Sequence, residues 1–167
     1  MTAARRSRKR HVRFASLLAL ALGLAVAAHS GAPRAATTER IVVDRHTGLA
    51  LYGIDPVGYF TDGKPVRGRE EFEYAYAGAT WRFENEGNRA AFVADPDVYM
   101  PRYGGYDPLG IARGLATAGS PALWVVFDQR IYLFYTADAR ATFIGDPPAA
   151  IAAASARWAA VKSELAE

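Results

Sequence analysis

The densest group of side chains able to bind a ligand lies in residues 99–108, which hold three tyrosines, two adjacent glycines and one carboxylate. The glycine pair permits positive φ and close approach of another group. The tyrosines offer apolar rings with polar tips. Asp107 could bind a hard cation or a ligand hydroxyl, or could cap a turn together with Pro108. The candidate ligand-binding residues are Asp55, Tyr59, Tyr103, Gly104, Gly105, Tyr106 and Asp107.

Metal chemistry would need oxygen ligands, because the chain has no cysteine and a single histidine after Ser30. Without thiolates, a site for Cu(I) or a thiolate zinc site is excluded, while a hard cation could still be held by carboxylates. His46 precedes Thr-Gly and is expected in an exposed turn. A metal ion therefore remains an alternative cofactor. Its candidate ligands are Asp55, Glu84, Asp107 and His46.

Recognisable catalytic motifs are missing from the sequence. It contains no G-x-S-x-G nucleophile motif, no H-E-x-x-H zinc motif and no phosphate-binding glycine loop. A pair of carboxylates acting as general acid and base is the remaining enzymatic alternative. We therefore predict a protein that is not an enzyme.

The first thirty residues have the pattern of an export signal. Residues 5–13 carry six basic side chains, and residues 14–28 form an apolar run without a charge. This run is shorter than the roughly 20 residues that span a bilayer, which favours a signal peptide. We predict a signal peptide over 1–30, a linker over 31–39 and a periplasmic or extracellular protein, with an uncleaved membrane anchor as the alternative.

The basic pI of about 9.3 belongs to this N-terminal segment. After Ser30, 14 basic residues face 17 acidic ones, a net charge of about −3. A segment with this balance gives no support for nucleic-acid binding. The expected partner is a small ligand or a protein of unknown identity.

Alternation of apolar and polar residues predicts one α+β domain over 40–165, without internal repeats. Two hairpins are expected over 71–83 and 123–135, and a short strand over 49–52. Cap residues predict helices after Asn85, Asp95, Thr136 and Asp146. We expect the two hairpins to form a small antiparallel sheet, with the C-terminal helix packed on it.

In this order, the motifs resemble those of the YHS-domain family, in particular its small exported members. The family pattern Y-x-G-x-x-aromatic-x-F, followed by F-x-x-D-P-x-x-Y, is matched by Tyr76, Gly78, Trp81, Phe83, Phe92, Asp95, Pro96 and Tyr99. Motifs of exported relatives are matched at 53–60, 63–68, Pro101, 103–106, 132–133, Tyr135 and Trp158. The resemblance covers residues 49–165 and implies a YHS-like α+β fold.

The chain departs from the family at its cysteines, which are the presumed ligands in metal-handling members. The corresponding positions are Gly58, Glu84, Asn88 and Asp107, and none carries sulfur. The resemblance therefore implies the fold without the thiolate site. We predict an exported, non-catalytic binding module that uses residues 103–107; the alternatives are a carboxylate metal site and an enzyme with an unrecognised carboxylate pair.

Overall fold

The computed structural model describes residues 39–165, where short strands and capped helices alternate along the chain. The strands are β1 (Ile54–Asp55), β2 (Val66–Arg67), β3 (Arg69–Tyr76), β4 (Ala79–Phe83), β5 (Ser120–Phe127) and β6 (Arg130–Phe134). The helices are α1 (Gly58–Thr61), α2 (Glu86–Ala94), α3 (Pro96–Tyr99), α4 (Pro108–Ala112), α5 (Ala137–Gly145) and α6 (Pro147–Ser163). Two 3₁₀ turns cover Leu51–Gly53 and Arg102–Gly105. In this part of the chain, no helix combines the length and hydropathy needed to cross a bilayer. The predicted signal peptide, 1–30, lies outside the described residues, as does all but the last residue of the linker.

The α+β class and both predicted hairpins are confirmed. The strands pair antiparallel as β1–β2, β3–β4 and β5–β6, so that each hairpin is its own two-stranded sheet. Ala154 and Val161 on α6, and Leu165 just beyond its end, form a buried apolar stripe. This stripe packs α6 against the core of the second hairpin.

Three of the four predicted caps mark helix starts because the side chain satisfies an otherwise unpaired main-chain N–H. Asn85 accepts from the amide of Asn88 at 2.9 Å, and Thr136 accepts from that of Ala139 at 3.1 Å. Asp146 caps α6 in the same way. Asp95 precedes α3 without making a side-chain cap bond. In this Asp-Pro pair, proline at the first helical position is therefore the residue that favours the helix start.

The predicted strand over 49–52 is wrong. Leu51 and Tyr52 both have positive φ, at 49° and 57°, which turns the chain instead of extending it. The turn is held by tertiary hydrogen bonds, since Leu51 donates to the main-chain oxygen of Val42 at 3.0 Å. Neither side chain signals this conformation, because non-glycine residues seldom adopt it.

The structure also contains an internal repeat, contrary to the sequence expectation. Each half begins with a positive-φ turn and an Asp-Pro pair, then forms a short helix, a hairpin, a nine-residue capped helix and a second Asp-Pro helix. Both hairpins shift register at equivalent places, between Arg69 and Glu73 and between Ser120 and Trp124. Both also close through a two-residue turn with positive φ. These shared irregularities define a structural repeat.

Once the halves are aligned by these elements, the sequence shows matching short runs. The run R-A-x-F-x-x-D-P occurs at 89–96 and again 51 residues later at 140–147. The run G-x-D-P-x-G occurs at 53–58 and at 105–110. Few other positions agree, which is why periodicity alone did not predict the repeat.

Each half has a hydrophobic cluster around an equivalent phenylalanine, Phe92 or Phe143, both fully buried. Strand β6 belongs to both clusters. Its residues Ile131 and Leu133 pack in the first, while Tyr132 and Phe134 pack in the second. The two halves therefore share one strand instead of folding around separate cores.

Candidate functional site

Asp55 is fully buried, and its carboxylate accepts three hydrogen bonds that hold the fold. One carboxylate oxygen accepts from the amide of Val57 at 2.8 Å. The other accepts from the amide of Glu84 at 2.8 Å and from the side-chain Nδ2 of Asn88 at 2.7 Å. The side chain thus joins the Asp-Pro turn to the end of the first hairpin.

Asp107 makes the equivalent connection in the second half, between an Asp-Pro turn and the end of the hairpin, and its side chain is buried, with the residue 3% exposed. Its carboxylate accepts from the amide of Leu109 at 2.8 Å and from that of Tyr135, just after β6, at 3.0 Å. The cap interpretation of Asp107 is therefore confirmed. Asp107 occupies the position in the second half that Asp55 occupies in the first. We call these two residues the clamps of the repeat, because each carboxylate connects an Asp-Pro turn to the end of a hairpin. Asp107 also borders a small cleft beside Arg113 and Tyr135.

The metal-ligand candidates do not gather into one site. Glu84 meets Asp55 through its main-chain amide, and the side chain of His46 is 96% exposed in the predicted turn. Asp44 accepts from the amide of His46 at 2.8 Å and fixes that turn locally. Within residues 39–165, no group of three or more histidine, aspartate or glutamate side chains could hold a metal ion.

Three other candidates of the ligand-binding set are packed inside the fold. Tyr59 is buried in the first cluster, and its hydroxyl donates to the main-chain oxygen of Pro121 at 2.9 Å. Tyr106 is buried in the second cluster and donates to the main-chain oxygen of Glu39. Gly105 accepts from the amide of Gly119 at 3.0 Å.

Tyr103 and Gly104 line a cleft with a volume of about 770 Å³. The cleft lies where the chain leaves α3 at Met100 and enters the second 3₁₀ turn, opposite the later turns of α6. Gly104 is required here, because a Cβ built on it would overlap the main-chain oxygen of Arg40. At the equivalent place in the first half, Tyr52 adopts a similar positive φ of 57°.

An aromatic pair forms one side of this cleft. The ring of Tyr103 lies 5.6 Å from that of Trp158 in an edge-to-face arrangement with an interplanar angle of 72°. The Tyr103 hydroxyl is within 3.2 Å of the Ile151 main-chain oxygen and 3.0 Å of the Ser155 hydroxyl, which fixes the ring against α6. Helix α6 is longer than its equivalent α3, and Trp158 lies in the additional turns of α6. The first half therefore has no counterpart to this side of the cleft.

Basic side chains surround the same cleft, and sequence reasoning missed them. They come from the start of the described chain, the 3₁₀ turn, the second hairpin and α6, and are Arg40, Arg102, Arg130 and Lys162. Asp97 is the acidic residue among the lining side chains. Because these segments are far apart in sequence, no local motif signals their approach.

The chain has no detectable relative among the proteins with which it was compared: no protein-family model, curated protein or solved structure matches it.

Proposed function

We propose that the chain is an exported, YHS-like binding module that is not an enzyme and that takes a small ligand in the cleft between α3 and α6. The observation that carries the proposal is the cleft itself. Its volume of about 770 Å³ lies in the ~300–1,000 Å³ range of small-molecule sites. The aromatic pair Tyr103 and Trp158 gives it the apolar surface that such sites use. The YHS resemblance rests on the ordered motifs over 49–165.

The state of the buried polar groups supports binding over catalysis. The carboxylates of Asp55 and Asp107 are engaged by main-chain amides, so their oxygens are committed to the fold. Burial raises the pKa of Tyr59 well above its ordinary value, which keeps the phenol protonated and makes it a poor base. The candidates for acid–base chemistry thus have structural roles.

A thermal-shift screen of the full chain tests this proposal. Charged and neutral small molecules are added singly, with copper, zinc, calcium and EDTA as separate arms. A ligand of the cleft raises the Tm by mass action. This rise is lost in Trp158→Leu and kept in Tyr135→Leu, which removes an exposed aromatic ring that does not line the cleft.

Equal shifts in the two variants, or no shift with any compound, would contradict binding in the cleft. A fall in Tm with EDTA, together with a stoichiometric ion in the purified protein, would favour the carboxylate metal alternative instead.

A further inference from the structure

We propose that the ligand of this cleft is a small organic anion, in which a carboxylate or phosphate group stands beside an aromatic or other flat apolar part. This inference rests on the proposed function, because it names the ligand class of the same site. It is carried by the charges around the cleft, by the lack of carboxylate partners within residues 39–165 for three of them (Arg102, Arg130 and Lys162), and by the position of the aromatic pair.

The charge around the cleft is opposite to that of the surrounding chain. Four basic residues and one acidic residue line it, a formal charge of +3. The sequence after Ser30 has 14 basic and 17 acidic residues. A basic concave surface on an acidic protein concentrates small anions.

Three of these cations have no acidic partner in the part of the chain that the structure describes. Arg82 and Arg89 form ion pairs with glutamates, whereas Arg102, Arg130 and Lys162 form none among residues 39–165. Arg130 donates to the main-chain oxygen of Asp97 at 3.2 Å, which fixes its position. A guanidinium has five N–H donors, so others stay available for an oxyanion.

The guanidinium groups and the aromatic rings are close enough to be used together. The guanidinium carbon of Arg102 lies 5.7 Å from the centre of the Tyr103 ring, and the same ring packs edge-to-face against Trp158. Arg130 lines the same cleft as Arg102 and Trp158. A ligand with a flat part against Trp158 can therefore reach these guanidinium groups with its anionic end.

Calorimetric titration of the full chain tests the ligand class. The probes are phenyl phosphate, benzoate, inorganic phosphate and the neutral benzyl alcohol. We expect the two aromatic anions to bind at least about tenfold more tightly than benzyl alcohol, because charge-assisted hydrogen bonds add to the stacking. Binding of the anions weakens as salt is added. Inorganic phosphate binds more weakly than phenyl phosphate if the aromatic pair contributes.

The double variant R102Q/R130Q should weaken binding of the aromatic anions by at least about tenfold, since each arginine supplies a charge-assisted bond. R67Q/R69Q is the matched control, because it removes two exposed arginines outside the cleft. R102K/R130K retains both charges and recovers part of the affinity. Coincident Tm values exclude unfolding as the cause.

The outcomes separate the two proposals. If benzyl alcohol binds as tightly as the anions, or R102Q/R130Q binds them like the control, the anionic class is wrong while a binding cleft stands. If no probe binds and Trp158→Leu alters no ligand shift in the wider screen, the anion inference and the proposed function both fail.

Discussion

At the scale of single residues, the two buried aspartates stabilise the fold, although the surrounding sequence suggested that they bind a ligand. Asp55 and Asp107 lie at equivalent positions in the two halves. Each connects an Asp-Pro turn to the residue that follows a hairpin. Asp107 could have offered its carboxylate oxygens to a ligand, but those oxygens accept main-chain hydrogen bonds. The candidate site instead uses basic side chains that individually look like ordinary surface residues.

The clamp interpretation predicts large losses of stability from truncating these aspartates. Asp55→Ala leaves three buried donors without an acceptor, and each costs about 1–3 kcal/mol, so unfolding should become easier by roughly 3 kcal/mol or more. Asp107→Ala leaves two donors without an acceptor and should lower the free energy of unfolding by a smaller amount. Urea denaturation measures both. Glu71→Ala, at an exposed strand position, is the control. Equal stability of the Asp55→Ala variant and the control would contradict the clamp.

A second prediction at this scale concerns Gly104. Gly104→Ala should lower the free energy of unfolding by about 2 kcal/mol or more, because its Cβ overlaps a main-chain oxygen that cannot rotate away. Gly63→Ala is the matched control: its φ of +62° is close to the +65° of Gly104, and nothing lies within 4 Å of its Cβ. Chemical denaturation of the pair separates the close contact from backbone strain. Similar losses in both would show that the contact with Arg40 is unimportant.

At the scale of elements, the two hairpins differ in the chemistry of their turns. The first closes through Ala77-Gly78 and the second through Asp128-Gln129, with positive φ at all four residues. Two successive positive values match the hairpin turn in which glycine at the second place is preferred. The second hairpin therefore carries strain at Gln129 that the first avoids.

Exchanging these residues gives reciprocal outcomes. Gln129→Gly should raise the free energy of unfolding by about 0.5–1 kcal/mol, because it relieves a non-glycine residue at φ 52°. Gly78→Gln should lower it by about 1 kcal/mol for the opposite reason. Thermal denaturation measures the two changes. A lower Tm for Gln129→Gly would mean that the Gln129 side chain has a stabilising contact that outweighs the turn.

Local sequence signals predicted most of these elements. They did not predict the features that depend on contacts between segments far apart in the sequence. Alternation and cap residues placed both hairpins and the helices after Asn85 and Thr136, because those signals act within a few residues. The turn at Leu51–Gly53 was missed since its conformation depends on the distant Val42. The repeat was missed because equivalent core positions hold different apolar residues, such as Trp81 and Tyr132. The basic cleft was missed because its cations come from four separated segments.

At the scale of the whole molecule, the halves are joined through β6, which presents opposite faces to the two clusters. In β4, the equivalent of this strand, the positions matching Ile131 and Leu133 are Thr80 and Arg82. Arg82 is held by Glu70 and Glu73 instead of a second cluster. The first half thus ends in a polar face, as terminal units of repeated structures do.

This sharing predicts that residues 39–165 unfold in one transition. Fluorescence of the tryptophans, which are present in both halves, should report the same midpoint as far-UV circular dichroism. Leu133→Ala should lower the stability of both clusters together, by about 2–5 kcal/mol. Arg82→Ala, at the equivalent place in β4, removes partly exposed ion pairs and should cost about 1 kcal/mol or less. Two separate transitions would contradict a shared strand.

The most direct test of ligand binding in the cleft is the response of the tryptophan indole N–H signals in ¹H–¹⁵N spectra of the full chain during titration with phenyl phosphate. Trp158 lines the cleft, whereas Trp81 is fully buried and donates to the main-chain oxygen of Tyr76 at 3.0 Å. Binding in the cleft should shift the Trp158 signal progressively and leave that of Trp81 in place. Saturable binding that leaves the Trp158 signal unmoved, or no shift of any signal, would contradict the proposed site.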